Sequence, residues 1–147
     1  MRSSYKGRVI VPGELQAEVL KSTHGVNILS SYQKSLILGD KTAKCSDQEN
    51  PDLLGKPIAG RALCLPQAVG ATMGGLVLYC VAELQRQPAC LLFENEIDCL
   101  SAAGTILADI WTEHPIPTID RLGEEFMNAI ETGCRVSIQK DGTVIVE

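Results

Sequence analysis

The spacing of apolar positions changes partway along this chain. In the first third, YKGRVIV (5–11), AEVLKS (17–22) and KSLILGD (34–40) run near a period of two. They are rich in apolar and β-branched residues and bounded by Gly, Pro, Ser or Asp, which predicts three β-strands. From Ile58 onward, the short apolar runs IAGRALCLP, PACLLFE and HPIPTID are separated by longer segments of helical period. That alternation predicts parallel βαβ units. Within 72–87, Leu76, Val77, Cys80, Val81 and Leu84 recur at the spacing of one helical face, and Pro88 ends the run. A second helix is expected over 98–112. A third is expected after Asp120 as N-cap, with Glu124 and Glu125 near its positive end and Gly133 closing it after Thr132. The final RVSIQKDGTVIVE reads as a hairpin turning at Asp141-Gly142. The expected fold class is therefore α/β, with N-terminal β-strands packed against a C-terminal layer of βαβ type.

Between Asp40 and Pro57 the segment KTAKCSDQENPDLLGKP is polar and rich in turn formers. It could pass for a linker, but the forty residues before it are too few to bury a core and would leave strand edges bare. It reads instead as a long surface loop, and residues 1–147 as one domain. Thirteen Lys and Arg against eighteen Asp and Glu leave a formal charge of −5, which gives no basic field for a nucleic acid. Apolar runs such as 74–82 fall well short of the roughly 20 residues a spanning helix needs. The start, MRSSYKGRVIVPGE, lacks the apolar stretch and cleavage site of a secretory signal, so a cytoplasmic location is expected.

Cys45, Cys64, Cys80, Cys90, Cys99 and Cys134 form no CxxC pair, so no metal is expected on this chain and most are read as buried free thiols. Cys45, in its polar stretch, is the expected surface thiol. The segment LPQAVGATMGGLVLYCVAEL passes from a strand through a glycine-containing turn into a helix start. Free amides and the helix dipole there attract a carboxylate or phosphate. Gly70 would let a ligand approach the backbone, Thr72 would offer a hydroxyl, and Gly74 with Gly75 would keep the first turn free of bulk. Taken alone the signal is weak, since glycines at such a turn more often permit tight packing and a threonine near a helix start more often caps it. The turn has no P-loop string and the chain no GxGxxG, which argues against a nucleotide. His24 and His114 have no neighbours suggesting a triad, Glu94, Glu96 and Asp98 read as a solvated loop and helix cap, and Arg61 could reach an anion or lie along a strand edge.

Taken in order, KGRVIVPGELQAEVL, LLGKPIAGRALCLPQAVGATMGGLVLYCVAE, PACLLFENEIDCLSAAGTILADI and HPIPTID resemble the small subunit, or swivelling domain, of the aconitase X family. The resemblance implies a swivelling β/β/α fold and a larger partner subunit that carries an iron or iron–sulfur centre. This chain would close over that active site and meet a small carboxylate substrate. The family's turn commonly reads PxxxGSTxG, its serine being the proposed proton acceptor; Ala71 stands at that position here, with Thr72 beside it. Met73, Gly74, Gly75, Gly70, Ser30, Ser31 and Arg61 are the substrate-binding residues the resemblance suggests. Two substrates fit the family, cis-3-hydroxy-L-proline and mevalonate 5-phosphate, each losing water to leave a double bond. Archaeal members usually carry a GGVDPxTG-like stretch where this chain has GVNILSSYQKSLILGD, which favours hydroxyproline. A non-catalytic anion-binding or regulatory module is the alternative of another class. A phosphohistidine carrier would need a histidine between Pro66 and Pro88, and none occurs there.

Overall fold

The computed structural model describes residues 2–70 and 72–147. Its strands are β1 (Ser3–Lys6), β2 (Arg8–Val11), β3 (Leu15–Lys21), β4 (Ala62–Leu65), β5 (Cys90–Phe93), β6 (Thr118–Asp120), β7 (Arg135–Ile138) and β8 (Thr143–Val146). Its helices are α1 (Ile28–Leu38), α2 (Gly74–Glu83), α3 (Cys99–Trp111) and α4 (Glu124–Ala129). The strands join in the order β1-β8-β7-β3-β4-β5-β6-β2. Strand β3 is the hinge of this sheet. Its first half pairs antiparallel with β7 (Leu15 opposite Ile138), and its second half pairs parallel with β4 (Val19 opposite Ala62).

The run β3-β4-β5-β6 is parallel, and α1, α2 and α3 are its crossovers. Strands covered on both faces read as unbroken apolar runs, which explains ALCL in β4 and CLLF in β5. Their side chains alternate between two cores. Leu63, Leu65, Leu91 and Phe93 meet Tyr32 of α1, Val77 and Leu78 of α2 and Ala108 of α3. Ala62, Cys64, Cys90 and Leu92 point the other way, toward Phe126 and Met127 of α4 and Val136 and Ile138 of β7.

Four local expectations fail. KSLILGD is the end of α1 rather than a strand, and Gly39 closes it in the left-handed conformation, with φ of 76°. Asp120 is the last residue of β6, buried and ion-paired, while α4 begins after Gly123 and ends at Ala129, well before Gly133. Cys45 is 2% exposed, because Ala43, Cys45, Leu53 and Ile58 turn inward from the polar segment and the backbone of Cys45 bonds to Lys56 and Gly55. Burial pushes the Cys45 thiol up in pKa; Cys99, at the start of α3, is the exposed cysteine. YKGRVIV is interrupted at Gly7, which separates β1 from β2.

Candidate active site at the helix starts

In a parallel β/α layer every crossover helix begins at the carboxyl end of the preceding strand, so α1, α2 and α3 start on one side of the molecule. A cleft of about 140 Å³ opens there, lined by Ile28, Ala68, Val69, Gly70, Thr72, Gly74, Asp98, Leu100 and Ser101. Two of the three helix starts are closed by their own caps. Asn27 Oδ1 accepts from the Ser30 amide at 3.0 Å on α1, and Asp98 Oδ2 accepts from the Ser101 amide at 2.9 Å on α3. Helix α2 has no side-chain cap, and among the described residues the amides of Gly74, Gly75 and Leu76 have no acceptor. An uncapped helix start facing a cleft is an anion-binding arrangement, since unpaired N–H groups and the positive dipole end act together.

The turn before α2 is held open by its neighbours. Val69 N–H donates to Val26 O and Val26 N–H to Gln67 O, so the two loops continue the parallel pairing beyond the strand ends. Gly70 sits at φ of 90°, and a Cβ there would meet the side-chain amide of Asn27, so both backbone and space require glycine. Gly75 has a different use. A Cβ on it would run into the carbonyl of Leu100, and one on Gly104 into the backbone of Gly75, so this glycine pair draws α2 and α3 together and sets the width of the cleft.

The expected site residues divide accordingly. Gly70, Thr72 and Gly74 line the cleft, and Gly75 lies behind it as a packing residue. Ala71 lies outside the described residues. Met73 is 50% exposed at the start of α2 and does not line the cleft. Ser30 and Ser31 are on α1 rather than in a β-rich loop, and neither lines the cleft. Both carbonyls accept from the Ser46 hydroxyl, and Ser31 is buried beneath the 40–57 loop. Arg61 precedes β4, at the opposite end of the parallel strands. Its Nη2 donates to Val19 O at 3.0 Å and lies 3.3 Å from the Glu18 carboxylate, so its charge is spent on β3. Of the acidic trio, Glu96 pairs with Arg8 and Arg121, and only Asp98 reaches the cleft.

Residues that the linear pattern did not single out as ligands are Asn27 and Ser101. The Asn-x-x-Ser and Asp-x-x-Ser spacings at 27–30 and 98–101 mark helix starts, and parallel topology then brings such starts together. Among the described residues no group of three or more His, Cys, Asp or Glu gathers as metal ligands, and no helix is long and apolar enough to cross a membrane.

These features define a β/α domain with an open cleft at the carboxyl ends of its parallel strands. The chain belongs to the aconitase X swivel domain family, whose model matches residues 4–146. The phosphomevalonate dehydratase small subunit of Aeropyrum pernix is 35% identical over 142 residues, covering 97% of this chain and 92% of that protein. The phosphomevalonate dehydratase small subunit of Thermococcus kodakarensis is 28% identical over 136 residues, covering 92% and 90%. Among solved structures, the holo-form of Thermococcus kodakaraensis aconitase X aligns with a TM-score of 0.81 and 26% identity over 99% of this chain and 98% of the other. The solution structure of a UPF0107 protein shares the fold, with a TM-score of 0.77 at 24% identity over 97% of each chain.

Proposed function

We propose that this chain is the small subunit of a heteromeric hydro-lyase and forms one wall of an active site that a larger subunit completes. The observation that carries this reading is the uncapped start of α2, opening on a cleft whose 140 Å³ is less than half the roughly 300 Å³ at which ordinary small-molecule sites begin. A second polypeptide supplies the missing half. Val69, Met73, Leu76 and Leu100, on the turn and the first helical turns around the cleft, are 44–54% exposed. Farther along α3, toward its other end, Ile106, Ile110 and Trp111 are exposed as well, an apolar face suited to a partner. The names of the curated relatives support both halves of the reading, small subunit and dehydratase.

Within this chain the chemistry is binding and enclosure. The α2 amides hold a carboxylate of the substrate, Thr72 offers a hydroxyl beside it, and closure of the domain excludes water from the reacting bond. The iron or iron–sulfur centre proposed for the partner would supply Lewis-acid help to the departing hydroxyl. The substrate is a small carboxylate with a hydroxyl on its third carbon. We favour cis-3-hydroxy-L-proline, because among the described residues no Lys or Arg lines the cleft to meet a phosphate. Mevalonate 5-phosphate is the second reading, and the names of the relatives favour it.

Co-expression with the cognate large subunit, followed by a dehydration screen on both compounds, tests the proposal. The chain is expected to co-purify with that subunit and the complex to dehydrate cis-3-hydroxy-L-proline. Turnover of mevalonate 5-phosphate alone would reverse the substrate assignment, and failure to associate would overturn the partner.

A further inference from the structure

Three consecutive residues of the loop between β3 and α1 meet the turn ahead of α2 one after another. Gly25 lies so close to Val69 that a Cβ on it would run into the valine side chain. Val26 donates to Gln67 O and accepts from the Val69 amide, both at 2.9 Å. Asn27 then lays its side-chain amide against Gly70, with Nδ2 and Cγ in the space that a Cβ at 70 would need. The loop making these contacts is tied down from behind by the polar segment 40–57. Asn50, 1% exposed, donates from Nδ2 to Ser22 Oγ at 3.0 Å, and that hydroxyl donates to His24 O at 2.7 Å. Asp52 Oδ2 accepts from the amide and the hydroxyl of Thr23 at 2.7 and 2.6 Å.

Capping accounts for only one end of Asn27. Oδ1 accepts from the Ser30 amide at 3.0 Å, a task that a serine would perform as well, whereas the Nδ2 end is committed to Gly70. Gly70, at φ of 90°, has no side chain to limit its own excursions, so the limit comes from its neighbour. Val69 and Gly70 line the cleft and Asn27 does not, so Asn27 reaches a ligand only through the turn. We propose that Asn27 is a positioning residue, a clamp that holds Val69 and Gly70 where the cleft can take its ligand while the same side chain caps α1. This rests on the reading of the cleft as a substrate site. A shift of about 1 Å in a group that positions substrate can cost on the order of a hundredfold in rate, which is why such a turn needs a fixed neighbour. Asn50 and Asp52 act one step farther back, by keeping the clamping loop in place.

Asn27→Ser separates the two tasks, since it keeps an oxygen for the cap and vacates the face of Gly70. In the full chain, amide hydrogen exchange at Val69 is expected to speed up at least tenfold, with Ser30 and Ser31 in the first turn of α1 within twofold of wild type. Asn27→Asp, which keeps both shape and cap, should bring Val69 back to within twofold. Gly70→Ala probes the contact from the other side. Its fall in Tm should be at least halved when Asn27→Ser is present, because the added methyl then has room. In the complex with the large subunit, Asn27→Ser should raise KM about tenfold and leave kcat within twofold, as expected when a binding group is displaced. Exchange that rises equally at Val69 and Ser31, or additive falls in Tm, would reduce Asn27 to a cap and overturn the proposal. A wild-type complex idle on both compounds sinks the dehydratase reading and leaves exchange and Tm to decide the clamp. An active complex whose KM ignores Asn27→Ser sinks the clamp alone.

Discussion

Asp120 shows how far a single side chain can act from its place in the sequence. It is fully buried, and its carboxylate receives Arg8 Nε at 2.9 Å, Arg8 Nη2 at 2.6 Å and the Ile97 amide at 2.8 Å. Burial pushes its carboxyl up, but the Arg8 bonds and the Ile97 amide outweigh it, so the net shift is downward from the ordinary 3.8. A lowered carboxyl contributes stability that is present above 3.8 and is lost as pH falls through the folded-state value. Asp120→Ala leaves the Ile97 amide without an acceptor and should cost about 1–3 kcal/mol in urea unfolding at neutral pH. The difference from wild type should narrow as pH drops below 3.8, and a pH-independent difference would contradict the ion-pair account. At residue 71 the prediction concerns rate. If the hydroxyl of the family's turn serine carries a proton, Ala71→Ser should raise turnover of the reconstituted complex by on the order of a hundredfold. No gain would remove the serine assignment.

Between elements, the contact that decides the site is the glycine crossing of α2 and α3. Gly75→Ala or Gly104→Ala must push two backbones apart, and each should lower stability by about 1–3 kcal/mol, read as a fall in Tm. If Gly75 instead served only to admit a ligand, Gly75→Ala would leave Tm unchanged. Helices α2 and α3, the parallel strands and the final hairpin were legible because their apolar spacing is local and the residues around them agree. Helix α1 was not, for a specific reason. It buries Ile28, Ser31, Tyr32 and Ser35, which have helical spacing but are half polar, and it exposes Ile37 and Leu38 at 70% and 69%. The hydrophobic pattern therefore points the wrong way along its last turn, and KSLILGD resembles a strand. The glycine-containing turn before α2 was readable as a helix start facing a ligand. Asp98 and Ser101 were not readable as lining the same cleft, because their position depends on how adjacent crossovers are arranged around the sheet. Asp120 was misread as a cap because its partner Arg8 lies 112 residues away.

For the whole molecule, the apolar rim gives a prediction that does not depend on the substrate. Leu76 is 54% exposed, so Leu76→Glu should leave Tm nearly unchanged. It should nevertheless weaken co-purification with the large subunit by roughly tenfold, the effect of about 1.4 kcal/mol. Retention of full association would place the interface elsewhere. One feature of the sheet governs when any of this can form. Strands β1 and β2 are separated only by Gly7, yet β1 pairs with β8 and β2 with β6, and the Gly7 amide donates to Gly142 O at 3.1 Å. The first dozen residues thus stitch together the two outermost borders of the sheet. On a ribosome those residues emerge well before their partners at 118–120 and 143–146. The seam has to stay open until those partners are made, and closing it across so wide a sequence separation should make this domain a slow folder for its size.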